Sequence, residues 1–151
     1  MSTNADPIPI TSAASVLSPT QIVQAFIRAL EELDFDRALT LCAPDIRWVN
    51  APLTTASNKA QFDKALRTMF KMVTRFEVQC REIYEREDGV VHTDRIDIAE
   101  GRGLKMKLSV QGDFRVEDGL VTEWVDRFSW REAIGDIVKS LPAMIAFRLR
   151  K

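Results

Sequence analysis

The chain has 151 residues, 46% of them apolar and 28% charged, with a formal net charge of −1. That is the make-up of an ordinary soluble domain long enough to bury a proper core, and without a basic excess it gives no reason to expect a nucleic-acid partner. No apolar run is long enough to span a bilayer, the N-terminus MSTNADPIPITSAASVL lacks the parts of a secretion signal, and Cys42 and Cys80 form neither a metal spacing nor a disulfide framework; the expectation is a reduced, cytoplasmic protein.

Residues 1–17 are rich in Ser, Thr, Ala and Pro and read as a loose arm before a single domain at 18–151. Ser18-Pro19-Thr20-Gln21 supplies an N-cap, a proline at the first helical position and a glutamine three residues after the cap. Ile22, Phe26, Ala29, Leu30 and Leu33 follow at helical spacing. A short second helix is predicted around Phe35 to Leu41, ending before Pro44. A strand carrying Ile46, Trp48 and Asn50 on one face comes next, and Asn58-Lys59-Ala60-Gln61 opens a third helix with Phe62, Leu66, Met69, Phe70 and Val73 on its stripe.

Beyond Val73 the period changes from 3.6 to two. Strands are predicted from Phe76 to about Tyr84, Val90 to Ala99, Met106 to Val116 and Leu120 to Phe128. Turns fall at Glu87-Asp88-Gly89, Gly101-Arg102-Gly103 and Glu117-Asp118-Gly119. Ser129-Trp130-Arg131-Glu132 forms a capping box for a last helix, interrupted by Pro142. Helices followed by a strand meander make an α+β plan: a curved mixed or antiparallel sheet wrapping the N-terminal helices in a cone, with an apolar pocket between.

The polar residues of the strands are unusual for a plain core. Arg95 and Asp97 share a strand face with Val91, Thr93 and Ala99, and Asp126 lies between Trp124 and Phe128. Arg95 and Asp97 read either as a surface ion pair of little energetic weight or as buried groups with a task. Asn50, ahead of Ala51-Pro52, could organise a turn, and Trp48 and Trp124 could be core aromatics. Two carboxylates, one arginine and an amide on facing strands raise the functional reading. His92, the only histidine, alternates onto the face opposite Asp97, so histidine-based triads and two-histidine metal sites have little to build on. No phosphate-binding or dinucleotide fingerprint is present. The basic, amphipathic tail AMIAFRLRK suits a pocket cap or a dimer surface better than a membrane helix.

Across about residues 19–135 the pattern resembles the limonene-1,2-epoxide hydrolase family, whose cone-like fold is shared with ketosteroid isomerase and nuclear transport factor 2. The segments that carry the resemblance are WVNAPL at 48–53, HTDRIDI at 92–98, LSVQGDF at 108–114 and EWVDRFSWRE at 123–132. The resemblance implies Asp97 as general acid, Arg95 as the bridge between two carboxylates, Asp126 as general base and Asn50 as a holder of the attacking water. The family's second water ligand, a tyrosine, is replaced here by Trp48, whose indole can donate to a water but cannot accept from it. Arg127 stands where an aromatic is common, with its side chain turned away from the pocket.

The implied reaction is cofactor-independent and metal-free hydrolysis of a small lipophilic epoxide, terpene-like or alicyclic, to a vicinal diol, by a homodimer. Trp48, Phe70, Leu108, Val110, Trp124 and Phe128 would line the pocket. An isomerase or cyclase of the same fold, and a non-catalytic module that binds lipophiles, are the alternatives.

Overall fold

A computed structural model describes residues 16–51, 54–128 and 131. The residues of the N-terminal arm up to 15, and the final helix and tail apart from Arg131, lie outside that range. The elements are α1 (Pro19–Glu31), α2 (Phe35–Thr40), β1 (Cys42–Ala51), β2 (Thr54–Ala56), α3 (Lys59–Met69), β3 (Arg75–Glu85), β4 (Val90–Gly101), β5 (Leu104–Glu117) and β6 (Leu120–Phe128). The six strands form one curved, open sheet in the order β2-β1-β6-β5-β4-β3. No described helix is long and apolar enough to cross a membrane.

Helix α1 starts as its sequence dictates. Ser18 Oγ accepts from the Gln21 N–H at 3.2 Å, and Gln21 Oε1 accepts from the Ser18 N–H at 2.8 Å. Its end is less regular than the apolar stripe suggests. Leu33 lies past the helix at a φ of 55°. The Asp34 N–H reaches the Ala29 carbonyl at 2.9 Å and the Leu33 N–H reaches the Leu30 carbonyl at 3.0 Å. That is a Schellman closure with leucine at the position where glycine is usual, at a cost of roughly 1–2 kcal/mol. The half-buried Leu33 side chain packs against the core, which offsets the strain.

Helix α3 also stops short of its apolar stripe. Asn58 caps it by accepting from the Gln61 N–H, and Phe62 and Leu66 are fully buried. Phe70 is the C-cap and Val73 lies beyond the helix. The β-branched pair Val73-Thr74 is poorly suited to continue it, and the Thr74 N–H is captured by the Glu100 carbonyl at 2.8 Å. Met69, expected on the buried stripe, is 42% exposed.

The meander β3-β4-β5-β6 is antiparallel throughout. Two of its hairpins close on two-residue turns, Arg102-Gly103 and Asp118-Gly119, with positive φ at both positions. Such turns match the twist of the strands they join. The exception to the antiparallel plan is β1, which pairs parallel with β6 and antiparallel with the short β2, a strand that no periodicity signalled. A parallel neighbour requires a long connection, and here everything from β2 to β5 supplies it.

The core lies between the concave face of the sheet and the helices α1 and α3. Phe26 of α1 meets Phe62, Phe114 and Trp124, with ring centroids 6.4, 6.1 and 5.2 Å away. Aromatic packing of this kind seals one end of the cone and leaves the other end to a cavity.

Candidate active site

Strand register arranges the concave face in rows. The deepest row across the sheet is Val91, Phe114, Trp124 and Trp48, the last two stacked at 5.6 Å. The next row is Thr93, Gly112, Asp126 and Asn50, the first of three rows that carry the polar groups. Arg95, Val110 and Phe128 follow, then Asp97 beside Leu108, then Ala99 beside Met106. The polar groups thus sit between an aromatic floor and an apolar mouth.

A cavity of about 250 Å³ opens over these rows. All ten residues singled out from the sequence line it: Asp97, Arg95, Asp126, Asn50, Trp48, Phe70, Leu108, Val110, Trp124 and Phe128. Ile27 and Leu30 of α1 and Val73, Phe76 and Val78 close the far wall. The only charged side chains in the described lining are those of Arg95, Asp97 and Asp126.

The surface ion-pair reading of Arg95 fails, because its side chain is 3% exposed. The guanidinium lies between the two carboxylates. Nε donates to Asp97 Oδ1 at 2.9 Å, and Nη2 donates to Asp97 Oδ2 at 3.2 Å and to Asp126 Oδ2 at 2.5 Å. Nη1 donates to Thr93 Oγ1 at 3.0 Å, and that hydroxyl donates to the Gly112 carbonyl at 3.1 Å. Every nitrogen of the fork has a partner, so the cation is fixed in place. Burial alone would lower its pKa, but Asp126 and Asp97 more than reverse this and Arg95 stays charged.

The two carboxylates have different surroundings. Asp126 accepts at both oxygens, from Arg95 at Oδ2 and from the Trp124 indole N–H at Oδ1, 2.6 Å away. Asp97 is raised from 3.8 to about 6, chiefly by burial, with the repulsion of Asp126 adding and the Arg95 cation opposing. One carboxyl is thereby set up to carry a proton beside another that is held by donors.

Three supporting groups escaped the sequence reading. Thr93 is fully buried and anchors Arg95. The indole N–H of Trp124 reaches Asp126, although the sequence suggested only an apolar wall there. Gly112 is the third: a Cβ at that position would lie 2.4 Å from both Arg95 Nη1 and Asp126 Oδ1. A glycine inside an otherwise alternating strand was the available signal of such a close approach.

Asn50 is buried, and its amide nitrogen lies 3.5 Å from the Met69 sulfur, a weak contact. The indole N–H of Trp48 is enclosed and has no hydrogen-bond partner among the described residues. On the convex face, His92 Nδ1 is 2.7 Å from Asp113 Oδ1, and Arg127 Nη1 donates to Asp113 Oδ2 at 3.1 Å. Both residues turn away from the cavity. Among the described residues no three His, Cys, Asp or Glu side chains are grouped so as to hold a metal ion.

A cone of helices and curved sheet, with a bridged pair of buried carboxylates at the foot of an apolar pocket, defines a class of α+β proteins built around a small-molecule cavity. The sequence pattern of that family described as the limonene-1,2-epoxide hydrolase catalytic domain matches residues 17–140. The chain belongs to the limonene-1,2-epoxide hydrolase family, and its enzyme class is that of an epoxide hydrolase. It is similar to the epoxide hydrolase EphG of Mycobacterium tuberculosis, 28% identical over 128 residues that cover 85% of each chain. A solved M. tuberculosis epoxide hydrolase of the same type superposes with a TM-score of 0.74 at 28% identity, covering 84% of this chain and 94% of that one. A protein of ketosteroid isomerase-like fold from Catenulispora acidiphila, 18% identical, superposes with a TM-score of 0.70 over 80% of this chain and 93% of its own, a likeness of fold.

Proposed function

We propose that the chain hydrolyses a small lipophilic epoxide, terpene-like or alicyclic, to a vicinal diol in one step. The observation that carries this reading is the buried Asp97–Arg95–Asp126 bridge facing an otherwise apolar cavity. Asp126 acts as general base and takes a proton from a water, whose oxygen attacks an epoxide carbon. As that carbon–oxygen bond breaks, the leaving oxygen takes the proton of Asp97. Asp126 ends protonated and Asp97 ionised, and exchange with solvent resets the pair. General acid and base steps each contribute typically about 10²–10⁴-fold. Arg95 keeps both carboxyls in place and limits the charge that develops on Asp97.

The attacking water is held by Asp126 and by the amide oxygen of Asn50. Trp48 walls the cavity in this reading, because its N–H is enclosed. The apolar lining, from Ile27 on α1 to Phe128 on β6, favours hydrocarbon bodies of about the size of the cavity.

The test is a set of terpene, alicyclic, aromatic and steroid epoxides assayed for diol, followed by a single turnover in ¹⁸O-water. Diol labelled fully in the first turnover is expected. Unlabelled first-turnover diol would mean that an aspartate oxygen attacked through an ester, and no diol from any epoxide would remove the reading altogether.

A further inference from the structure

A one-step hydrolysis needs one carboxyl protonated and the other ionised, yet Arg95 serves both, with Nη2 shared between them. The bridge alone would favour an ionised Asp97, since Arg95 gives two N–H groups to Asp97 and one to Asp126. The Trp124 indole acts in the opposite sense. Its N–H donates to Asp126 Oδ1 at 2.6 Å, whereas the hydrogen bonds to Asp97 come from Arg95.

We propose that the indole N–H of Trp124 is a positioning group that assigns the two roles, holding Asp126 as the anion and leaving the proton on Asp97. This rests on the acid–base reading above. An indole nitrogen is a donor only, so it supports a carboxylate oxygen and cannot accept from a carboxylic O–H. The donor also has little freedom to turn aside. The ring is stacked on Phe114 at 5.5 Å and on Trp48 at 5.6 Å, with Phe26 edge-on at 5.2 Å. Two residues apart on β6, Trp124 and Asp126 share a face by strand geometry, so the contact is built into the chain.

The other groups around the pair point the same way. From β4, Arg95 contacts both carboxyls. From β3, the Cys80 thiol lies near Arg95 and Asp97. From α1, Glu31 accepts from the Val78 N–H at 3.2 Å, and its charge further disfavours ionisation of Asp97. From β1, Asn50 offers a neutral amide, and from β5, Gly112 offers no side chain. The upward displacement of Asp97 to about 6 accords with a proton kept there.

The experiment replaces Trp124 with β-(3-benzothienyl)alanine, in which sulfur takes the place of the N–H and the two-ring shape is kept. The Asp97 and Asp126 carboxyls are followed by ¹³C NMR titration, assigned with Asp97→Asn and Asp126→Asn. Loss of the donor should lower the Asp97 midpoint by about one pH unit, a tenfold change in its protonation. The alkaline limb of kcat should move with it, at little cost in KM. Trp124→Phe should show the same titration, and it serves as the measurement if the first variant does not fold. Unchanged midpoints in either folded variant would overturn the inference. A wild-type protein that hydrolyses no epoxide would remove the acid–base reading, while the titration would still report where the proton sits.

Discussion

Each face of the sheet carries a charge cluster, on β4 and β6 on the concave side and on β4, β5 and β6 on the convex side. On the concave face a cation, Arg95, lies between Asp97 and Asp126. On the convex face an anion, Asp113, lies between His92 and Arg127. Asp97 and Asp113 have equal side-chain exposure, 16% each, and each accepts from an arginine. Their acidities nevertheless move in opposite directions. For Asp113, burial pushes up, but the hydrogen bonds from His92 and Arg127 outweigh it and the carboxyl falls below its ordinary value. For Asp97, burial wins over its one cation, with a second carboxylate nearby. Apparent exposure is therefore a poor guide. What separates the clusters is depth together with company: Asp97 lies far deeper, where burial costs it more, and shares its single cation with a rival, whereas Arg86 and Arg127 converge on Asp113 nearer the surface.

Removing the carboxylates breaks the comparison most sharply. Asp97→Asn and Asp126→Asn should each lower turnover by at least about 10²–10⁴-fold in a folded protein, and the double variant should be no worse than either single if the two act in one step as proposed. Asp113→Asn should leave turnover within about a factor of two, because Asp113 lies on the face away from the cavity. Steady-state kinetics with circular dichroism checks this. Additive losses at Asp97 and Asp126, or a large loss at Asp113, would contradict the separation of the faces.

Gly112→Ala acts between the clusters, on the row that brings Arg95 and Asp126 together. The added methyl must displace a guanidinium or a carboxylate that is already held at every polar atom. A loss of about 1–3 kcal/mol in stability is expected, with turnover falling by more than the melting temperature would suggest. The same change at Gly119, where a Cβ would meet nothing but φ is positive, should affect stability alone. Equal kinetic effects at the two glycines would count against a close approach at Gly112.

The pH responses should have opposite signs. Asp97 holds its proton in the folded chain up to about 6, above its ordinary value of 3.8. Its contribution to stability is therefore complete below about 3.8 and is lost as pH rises through about 6. Turnover should fall along the same limb, because the acid must begin protonated. Asp113, depressed on folding, contributes stability above the ordinary carboxylate range and loses it as pH falls through its folded value. Denaturant unfolding of wild type, Asp97→Asn and Asp113→Asn between pH 3 and 8 would separate the two slopes; slopes of the same sign would refute the assignment.

How much of this could be read in the sequence differs by level. The strands, the Asp-Gly hairpins and the α1 capping box are local codes, and they fell within a few residues of their places. The ends of α1 and α3 depended on tertiary partners: Leu33 in a left-handed cap packed on the core, and Thr74 captured by the end of β4. Alternation was enough to put Arg95, Asp97 and Asp126 on concave faces. It could not supply the row formed by Thr93, Gly112, Asp126 and Asn50, because that row depends on the register of four strands, including the parallel pair β1–β6 that no local signal announces.

The smallest expected effect lies at Trp48, where the family resemblance implies a tyrosine. A buried donor left without a partner costs about 1–3 kcal/mol, and the enclosed N–H of Trp48 has none among the described residues. Trp48→Phe removes that donor and keeps an aromatic ring between Trp124 and Phe62. The smaller ring loses some packing, so the two effects oppose each other in stability. Turnover should stay within about a factor of two if Asn50 and Asp126 hold the water as proposed. A fall in kcat of two- to tenfold would correspond to one lost positioning hydrogen bond, about 0.5–1.5 kcal/mol, and would show that the indole turns to meet the water once substrate is bound. Trp48→Tyr sharpens the test, because a phenol can both donate and accept. Activity raised on bulky epoxides alone would mark a larger cavity, whereas activity raised on every epoxide would mark a recovered water ligand.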